Sequence, residues 1–454
     1  MTLDPARASA IDLAAAVRRR EFSAIELVEH AFARADAADA QVGALVARDP
    51  DRALADARAA DEAIARGDER PLLGVPISVK ESFDLRGHPT TWGFADLTGH
   101  RAERDALAVR RLTDAGAVVI GKTNVPVALN DWQSDNPIYG RTRNPYDLSR
   151  SPGGSSGGSA AALALGYSAL ELGSDIGGSV RVPAAFCGVF GHKPTWGLIP
   201  AEGHSPGGWD GVGPPLASIG PLARTAGDLA LALGLIAGPD DFSPATTLAL
   251  PPSRVESLVG CRMLVLDEHP SAATDSVVRR GVDDVATAAE RAGALIARSS
   301  PLVPDLAAVL EDYRTMLAAV GSRRAPAGTP SLPVRDWFEL VDRQLHVRRR
   351  WAALFEEFDV VVAPTFGTVA FPLSDEPVPD RRTLVIDGRD EPFEPQLAWP
   401  SLATFANLPA TAAPIGVTAD GLPMSVQVIG PHLADLTTIA VAAAVAREIP
   451  PPAL

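Results

Sequence analysis

Two glycine- and serine-rich segments, GGSSGGS at 153–159 and GSDIGGSVRVP at 173–183, lie in the first half of this 454-residue chain. They flank an alanine- and leucine-rich stretch whose composition predicts a helix. Flexible Ser/Gly linkers would not enclose such a helix or end in an apolar Val-x-Val-Pro run. Glycines embedded in hydrophobic sequence cost conformational entropy unless a tight backbone geometry is needed. The two segments therefore favour a functional site over a linker.

Helices and strands are predicted alternately on both sides of these segments. Capping patterns at Ser9 and Ser23 begin two N-terminal helices, and helical spacing recurs over 53–65, 104–115 and 273–292. Short apolar runs predict buried strands at 72–80, 118–120, 261–266, 359–365 and 425–430. This interleaving predicts an α/β fold with helices on both faces of a largely buried central sheet.

Composition and charge exclude several classes of function. Lys plus Arg number 41 against 56 Asp plus Glu, and the net charge of −15 repels nucleic acid and anionic lipid. Two cysteines cannot form a disulfide framework, and no signal-peptide pattern opens the chain, which favours the cytoplasm. The uncharged stretch 395–419 contains Pro400, Pro409 and Pro414, so we expect no membrane span.

Two motifs point to other chemistries, but their contexts disagree. The sequence GAVVIGKT at 116–123 matches the phosphate-binding pattern, yet its middle residues are themselves the predicted strand. The sequence GGSSG at 153–157 matches a nucleophile elbow, which requires a preceding strand, whereas 144–152 is a polar loop with two prolines. Only His346 and His432 lie late enough to complete a Ser-acid-His order. No metal-ligand spacing occurs among the histidines, so we expect neither a metal nor another cofactor.

The glycine–serine segments, with the upstream Gly-x-Pro-x-x-x-Lys that ends at Lys80, resemble the amidase signature family of serine hydrolases. The resemblance runs from Leu72 to Gly227 and resumes at 359–365 and 421–430. It implies a single large domain with a mixed central sheet covered by helices on both faces. Residues 1–70 would be an N-terminal helical segment that packs on the core. Residues 71–454 would form the α/β domain, with a variable helical insertion at about 253–350.

The resemblance also implies a catalytic set. Ser179 would be the nucleophile, Ser155 a bridging serine held by a cis peptide bond, and Lys80 the general base. A lysine can act as a base only when it is neutral, so burial must lower its pKa from ~10.4 towards the working pH. The backbone amides expected to form an oxyanion hole are those of Ile176, Gly177, Gly178 and Ser179. The supporting side chains would be Ser156, Asp175 and Arg181.

The substrate is expected to be a small, largely uncharged amide, with aryl amides included, and esters or carbamates are plausible further substrates. Where relatives line the acyl pocket, this chain has Leu129, Asn130 and Trp132, and Trp209 and Trp399 lie in Gly/Pro-rich stretches that would cover an apolar group. Two alternatives stay open: a glutaminase subunit of a transamidation complex, and an inactive binding or scaffold relative. A homodimer is one option for the oligomeric state.

Overall fold

The computed structural model describes residues 3–207, 211–242, 247–324 and 328–452. Its strands are β1 (Leu45–Arg48), β2 (Pro76–Lys80), β3 (Val118–Thr123), β4 (Asp135–Asn136), β5 (Gly140–Arg141), β6 (Leu170–Asp175), β7 (Phe190–Lys193), β8 (Ser218–Ala223), β9 (Arg262–Val265), β10 (Leu295–Ala297), β11 (Val360–Pro364), β12 (Thr383–Ile386), β13 (Arg389–Pro392), β14 (Ala410–Val417) and β15 (Pro423–Ile429). Its α-helices are α1 (Ala10–Arg18), α2 (Ala24–Val42), α3 (Pro50–Ala65), α4 (Leu107–Asp114), α5 (Gly157–Ala164), α6 (Arg181–Phe186), α7 (Ala226–Ile236), α8 (Ser276–Arg291), α9 (Leu306–Gly321), α10 (Val334–Glu357), α11 (Ala398–Thr404) and α12 (Asp435–Glu448).

One eleven-stranded sheet organises the molecule, in the order β1-β3-β2-β6-β8-β7-β14-β15-β11-β9-β10. Strand β2 runs parallel to both β3 and β6, and β9 runs parallel to both β11 and β10. The pairs through the centre of the sheet, from β6 to β11, are antiparallel. The sheet is therefore mixed, as predicted.

Side chains of the sheet strands pack in opposite directions. In β11, Val360 and Val362 join the core cluster that contains residues of α8 and α12. Val361 and Ala363 belong to a different cluster, which contains residues of α10 and α11. Since successive side chains of a strand point to opposite faces, helices cover both faces of the sheet. The predicted fold class is confirmed.

Local sequence signals correspond closely to the structure. Ser9 accepts a hydrogen bond from the Asp12 amide at the start of α1, and Ser23 and Glu26 form a capping box at the start of α2. Residues 118–120 lie inside β3, so the phosphate-binding pattern there is a buried strand and not a loop. No helix in the described part of the chain is long and apolar enough to cross a membrane.

The secondary structure predicted for two segments needs correction. Residues 1–70 are not only helical, because β1 pairs antiparallel with β3 and forms one edge of the main sheet. The region 253–350 is not a purely helical insertion either, since β9 and β10 form the opposite edge. The apolar run at 261–266 does predict β9, whereas β1 and β10, of four and three residues, carry too few side chains to show a period and are stabilised by pairing with the sheet.

Candidate active site

The site lies where two adjacent parallel strands end. Strand β2 ends at Lys80 and strand β6 ends at Asp175, and Val79 is paired with Leu172. Carboxyl ends of neighbouring parallel strands meet at the same edge of a sheet, where α/β proteins commonly bind ligands. The loop that leads into α5 brings Ser155 to this edge.

Lys80 is completely buried and contacts two serine hydroxyls. Its Nζ atom lies 2.7 Å from Ser155 Oγ and 2.9 Å from Ser174 Oγ. Burial lowers the pKa of Lys80 to about 7, although the nearby Asp175 carboxylate raises it. The amine is thus partly neutral near pH 7, and a neutral amine within hydrogen-bond distance of a hydroxyl can accept a proton from it.

The two glycine–serine segments are in direct contact. The peptide bond between Gly154 and Ser155 is cis. The next amide, that of Ser156, donates a hydrogen bond of 3.1 Å to the carbonyl oxygen of Ser179. Ser179 is 6% exposed and lines an open cleft, whereas Ser155 is 1% exposed and is not among the lining residues. The buried Ser156 hydroxyl has no partner within the described residues.

Asp175 and Arg181 form a fully buried ion pair. Arg181 donates through Nη2 to Asp175 Oδ1 at 2.9 Å and through Nε to Asp175 Oδ2 at 3.0 Å. Burial opposes ionisation, but the Arg181 guanidinium outweighs it and lowers the pKa of Asp175 to about 2. Gln427 Oε1 and Thr404 Oγ1, each at 2.8 Å, accept further hydrogen bonds from Arg181. The pair therefore carries full charge and is well satisfied, which a buried ion pair needs.

Residues 176–179 form a turn between this ion pair and the cleft. The Gly178 amide donates to Asp175 Oδ1 at 3.0 Å, so it is occupied inside the protein. Tyr313 and Trp132 donate to the carbonyl oxygens of Ile176 and Gly177, at 2.8 and 2.9 Å. Of the four backbone amides in this turn, those of Ile176, Gly177 and Ser179 meet no acceptor among the described residues.

The cleft lined by Ser179 has a volume of about 550 Å³, which includes space open to solvent, and its lining is mostly apolar. Its lining residues are Leu129, Asn130, Asp131, Trp132, Ile176, Gly177, Ser179, Leu317, Pro379, Asp380, Phe393, Glu394 and Leu397. They include three of the four residues predicted for the pocket. The fourth, Trp209, lies outside the described residues.

Trp399 does not cover the cleft, contrary to prediction. It lies in α11 and is completely buried in the core beside Trp351 and Leu402. The adjacent Pro400 suggested a loop, but proline is tolerated in the first turn of a helix, where its missing N–H would have no partner.

No lysine or arginine lines the cleft within the described residues, and two of its three carboxylates are neutralised. Arg382 binds both oxygens of Asp131, at 2.7 and 2.8 Å. Arg314 is paired with Glu394. The third carboxylate, that of the exposed Asp380, forms no ion pair with any described residue.

Some site residues were not found from the sequence. Ser174 lies inside the glycine–serine segment 173–183, but nothing in that segment distinguishes it as a partner of Lys80. Tyr313 and Leu317 come from α9, and Phe393 and Leu397 come from a segment more than 200 residues beyond Ser179. Only the tertiary structure brings these residues to the cleft.

Comparisons with known proteins agree with this architecture. The family model described as Amidase matches residues 26–337 and 334–439. A glutamyl-tRNA(Gln) amidotransferase subunit from Anaeromyxobacter sp. (strain K) is 35% identical, and the match covers 96% of this chain and 95% of that protein.

Solved structures show the same fold. An inhibitor-bound protein from a vestigial complex linked to the origins of an s-triazine catabolic enzyme superposes with a TM-score of 0.84 at 28% identity, covering 97% of this chain and 98% of the other. The 6-aminohexanoate cyclic dimer hydrolase gives a TM-score of 0.82 at 26% identity, covering 99% and 98%. Together with the family match over most of its length, these similarities show that the chain belongs to the amidase signature family.

Proposed function

We propose that this protein hydrolyses small, largely uncharged amides through an acyl-enzyme on Ser179. The observation that carries the proposal is the contact of 2.7 Å between Lys80 Nζ and Ser155 Oγ, next to the Ser156 amide that is hydrogen-bonded to the Ser179 carbonyl. A serine hydroxyl is a weak nucleophile and needs a base, and a buried lysine with its pKa near 7 is a suitable one.

In each half of the proposed reaction, a proton moves from the attacking group to Lys80 and then back to the leaving group. The Ser179 oxygen attacks the amide carbonyl carbon while its proton passes to Ser155, whose own proton passes to Lys80. When the C–N bond breaks, the same route returns a proton to the leaving amine, and an ester links the acyl group to Ser179. Water then attacks that ester by the same proton route and releases the carboxylic acid.

The oxyanion that forms in each step would be stabilised by backbone amides of the 176–179 turn. The free donors are the amides of Ile176, Gly177 and Ser179, whereas Gly178 supports the turn through Asp175. One such donor is worth ~3 kcal/mol in other hydrolases. Esters and carbamates pass through an equivalent tetrahedral intermediate, so the same site should also cleave them.

The cleft favours substrates without charge. Its walls carry the apolar side chains of Leu129, Trp132, Leu317, Phe393 and Leu397. An apolar acyl or aryl group gains free energy when it leaves water for such a surface, at ~25 cal/mol per Å². A substrate carboxylate would lose its hydrating water without gaining a cationic partner, because the described lining residues include no lysine or arginine.

A glutaminase subunit is the second candidate function, because the curated relative at 35% identity is an amidotransferase subunit. Free glutamine carries an α-carboxylate, which needs a cationic partner in a cleft of this kind. Arg382 and Arg314, which contact residues of the cleft, are each already bound to a carboxylate. The structural neighbour at 26% identity is named as a hydrolase, so the family includes other activities. The apolar lining favours a neutral amide over glutamine.

The test combines a covalent probe with a substrate panel. A fluorophosphonate probe should label Ser179 in the native protein and leave the Ser179→Ala variant unlabelled. An unlabelled native protein would instead indicate an inactive binding relative. The purified protein should release amine from a neutral aryl amide faster than ammonia from glutamine, and the reverse order would favour the glutaminase.

A further inference from the structure

Tyr313 is buried against the turn that supplies the proposed oxyanion-hole amides. Its side chain is 0% exposed, and its hydroxyl donates to the carbonyl oxygen of Ile176 at 2.8 Å. Burial raises the pKa of Tyr313, so the hydroxyl remains protonated and can donate throughout the neutral range. The residue lies on α9, outside the sequence segments that resemble the family pattern.

The carbonyl of Ile176 and the amide of Gly177 belong to one planar peptide unit. In a trans peptide the C=O and N–H bonds point in opposite directions, so a donor that fixes the carbonyl also fixes the direction of the amide. The Gly177 amide meets no protein acceptor among the described residues, and Gly177 lines the cleft. The Gly177 N–H group is therefore available to donate a hydrogen bond to a substrate in the cleft.

The next peptide unit is held differently. Trp132 Nε1 donates to the Gly177 carbonyl at 2.9 Å, and the Gly178 amide donates to Asp175 at 3.0 Å. Both ends of that unit are used inside the protein. In the Ile176–Gly177 unit, Tyr313 holds one end and the other end is left for the cleft.

We propose that Tyr313 is a positioning residue, which orients the Gly177 amide towards the developing oxyanion by holding the Ile176 carbonyl. The inference rests on the proposed function and adds to it a residue that never contacts the reacting atoms. Oxyanion-hole donors act through their preorganised orientation, so a loosened peptide unit weakens the transition state more than the bound substrate. Leu317 lies one turn along α9 and lines the cleft, so this helix would carry both a wall of the cleft and this support.

The test removes only the hydroxyl. Tyr313→Phe should lower kcat for a neutral aryl amide about 10- to 100-fold and leave KM within about twofold. Its rate of labelling by a fluorophosphonate should fall by a similar factor, because phosphonylation of Ser179 also develops charge on an oxygen in the hole. Tyr167→Phe is the matched control, since Tyr167 is equally buried and its hydroxyl has no hydrogen-bond partner in the described chain.

A second variant excludes a folding artefact. Replacement of Tyr313 by 4-fluorophenylalanine fills the volume of the hydroxyl without a proton to donate, and thermal melting monitors the fold of each protein. Loss of kcat and labelling in the folded variants supports the proposal. Native kcat and labelling rates, or a rise in KM alone, would overturn it and leave Tyr313 with a packing role only. Failure of the proposed function is distinguishable, because the native protein itself would then show no label on Ser179.

Discussion

The floor of the site and the rim of the cleft are constructed in opposite ways. At the floor, Lys80, Ser155 and Asp175 are at most 1% exposed and are held by short hydrogen bonds at the ends of β2 and β6. The rim includes the partly exposed Leu317 from α9 and the partly exposed Pro379 and Leu397 from the segment 379–397. Under the proposed function, the floor would determine the reaction and the rim would determine the substrate.

Within the floor, two buried cations have contrasting surroundings. Arg181 donates to the Asp175 carboxylate and to the side-chain oxygens of Gln427 and Thr404. Lys80 has serine oxygens as its nearest partners, and burial lowers its pKa to about 7. The difference lies in the partners: a carboxylate compensates the buried guanidinium, whereas the serine hydroxyls around Lys80 leave burial to lower its pKa.

Removal of the base should have the largest effect. Lys80→Ala should lower kcat for a neutral aryl amide by at least ~1,000-fold, because a general base contributes ~10²–10⁴ and Ser155 also loses its partner. Steady-state assays measure the loss, and thermal melting should show a folded protein. Lys80→Met is the control for the cavity, since it restores most of the side-chain volume without the amine. Full activity in either variant would end the assignment of Lys80 as the base.

The contribution of the buried Asp175–Arg181 ion pair to stability can be compared with that of an exposed ion pair. Asp175→Asn leaves the buried Arg181 without its counterion and should reduce the free energy of unfolding by ~3–5 kcal/mol. The matched control is Asp283→Asn, because Asp283 is 52% exposed and its partner Arg298 is 47% exposed, and the expected loss there is below ~1 kcal/mol. Urea unfolding measures both values. Equal small losses would show that Asp175 is not needed to compensate Arg181.

The pH dependence separates the two groups further. Lys80 must be neutral to accept a proton and its pKa is about 7, so kcat/KM should rise with pH and level off above that value. Below it, kcat/KM should fall about tenfold for each pH unit. Asp175 has a pKa of about 2 and stays ionised over this range, so it adds no second transition. A flat profile from pH 5 to pH 8 would require a different base.

The sequence was informative where the site is local and uninformative where it depends on long-range packing. Lys80, Ser155 and Ser179 lie in short segments whose glycines and apolar neighbours indicate a constrained backbone. Tyr313 and Leu397 reach the same place from distant elements, and nothing in their own segments marks them. The wrong prediction for Trp399 has the same cause, because packing by the rest of the fold, and not the neighbouring proline, determines where its side chain lies.

The rim should respond with a smaller and more selective effect. Leu397 contributes an apolar side chain to the cleft, and Leu397→Ala removes contact area that a bulky apolar substrate would cover. We expect kcat/KM for a bulky aryl amide to fall about five- to tenfold, mainly through KM, because such contacts bind substrate and transition state alike. A minimal amide such as acetamide should be almost unaffected. Val385→Ala is the control, since Val385 is 65% exposed on β12 and does not line the cleft. An equal loss of kcat for both substrates would mean that the rim also positions the floor, and the division between the two regions would no longer hold.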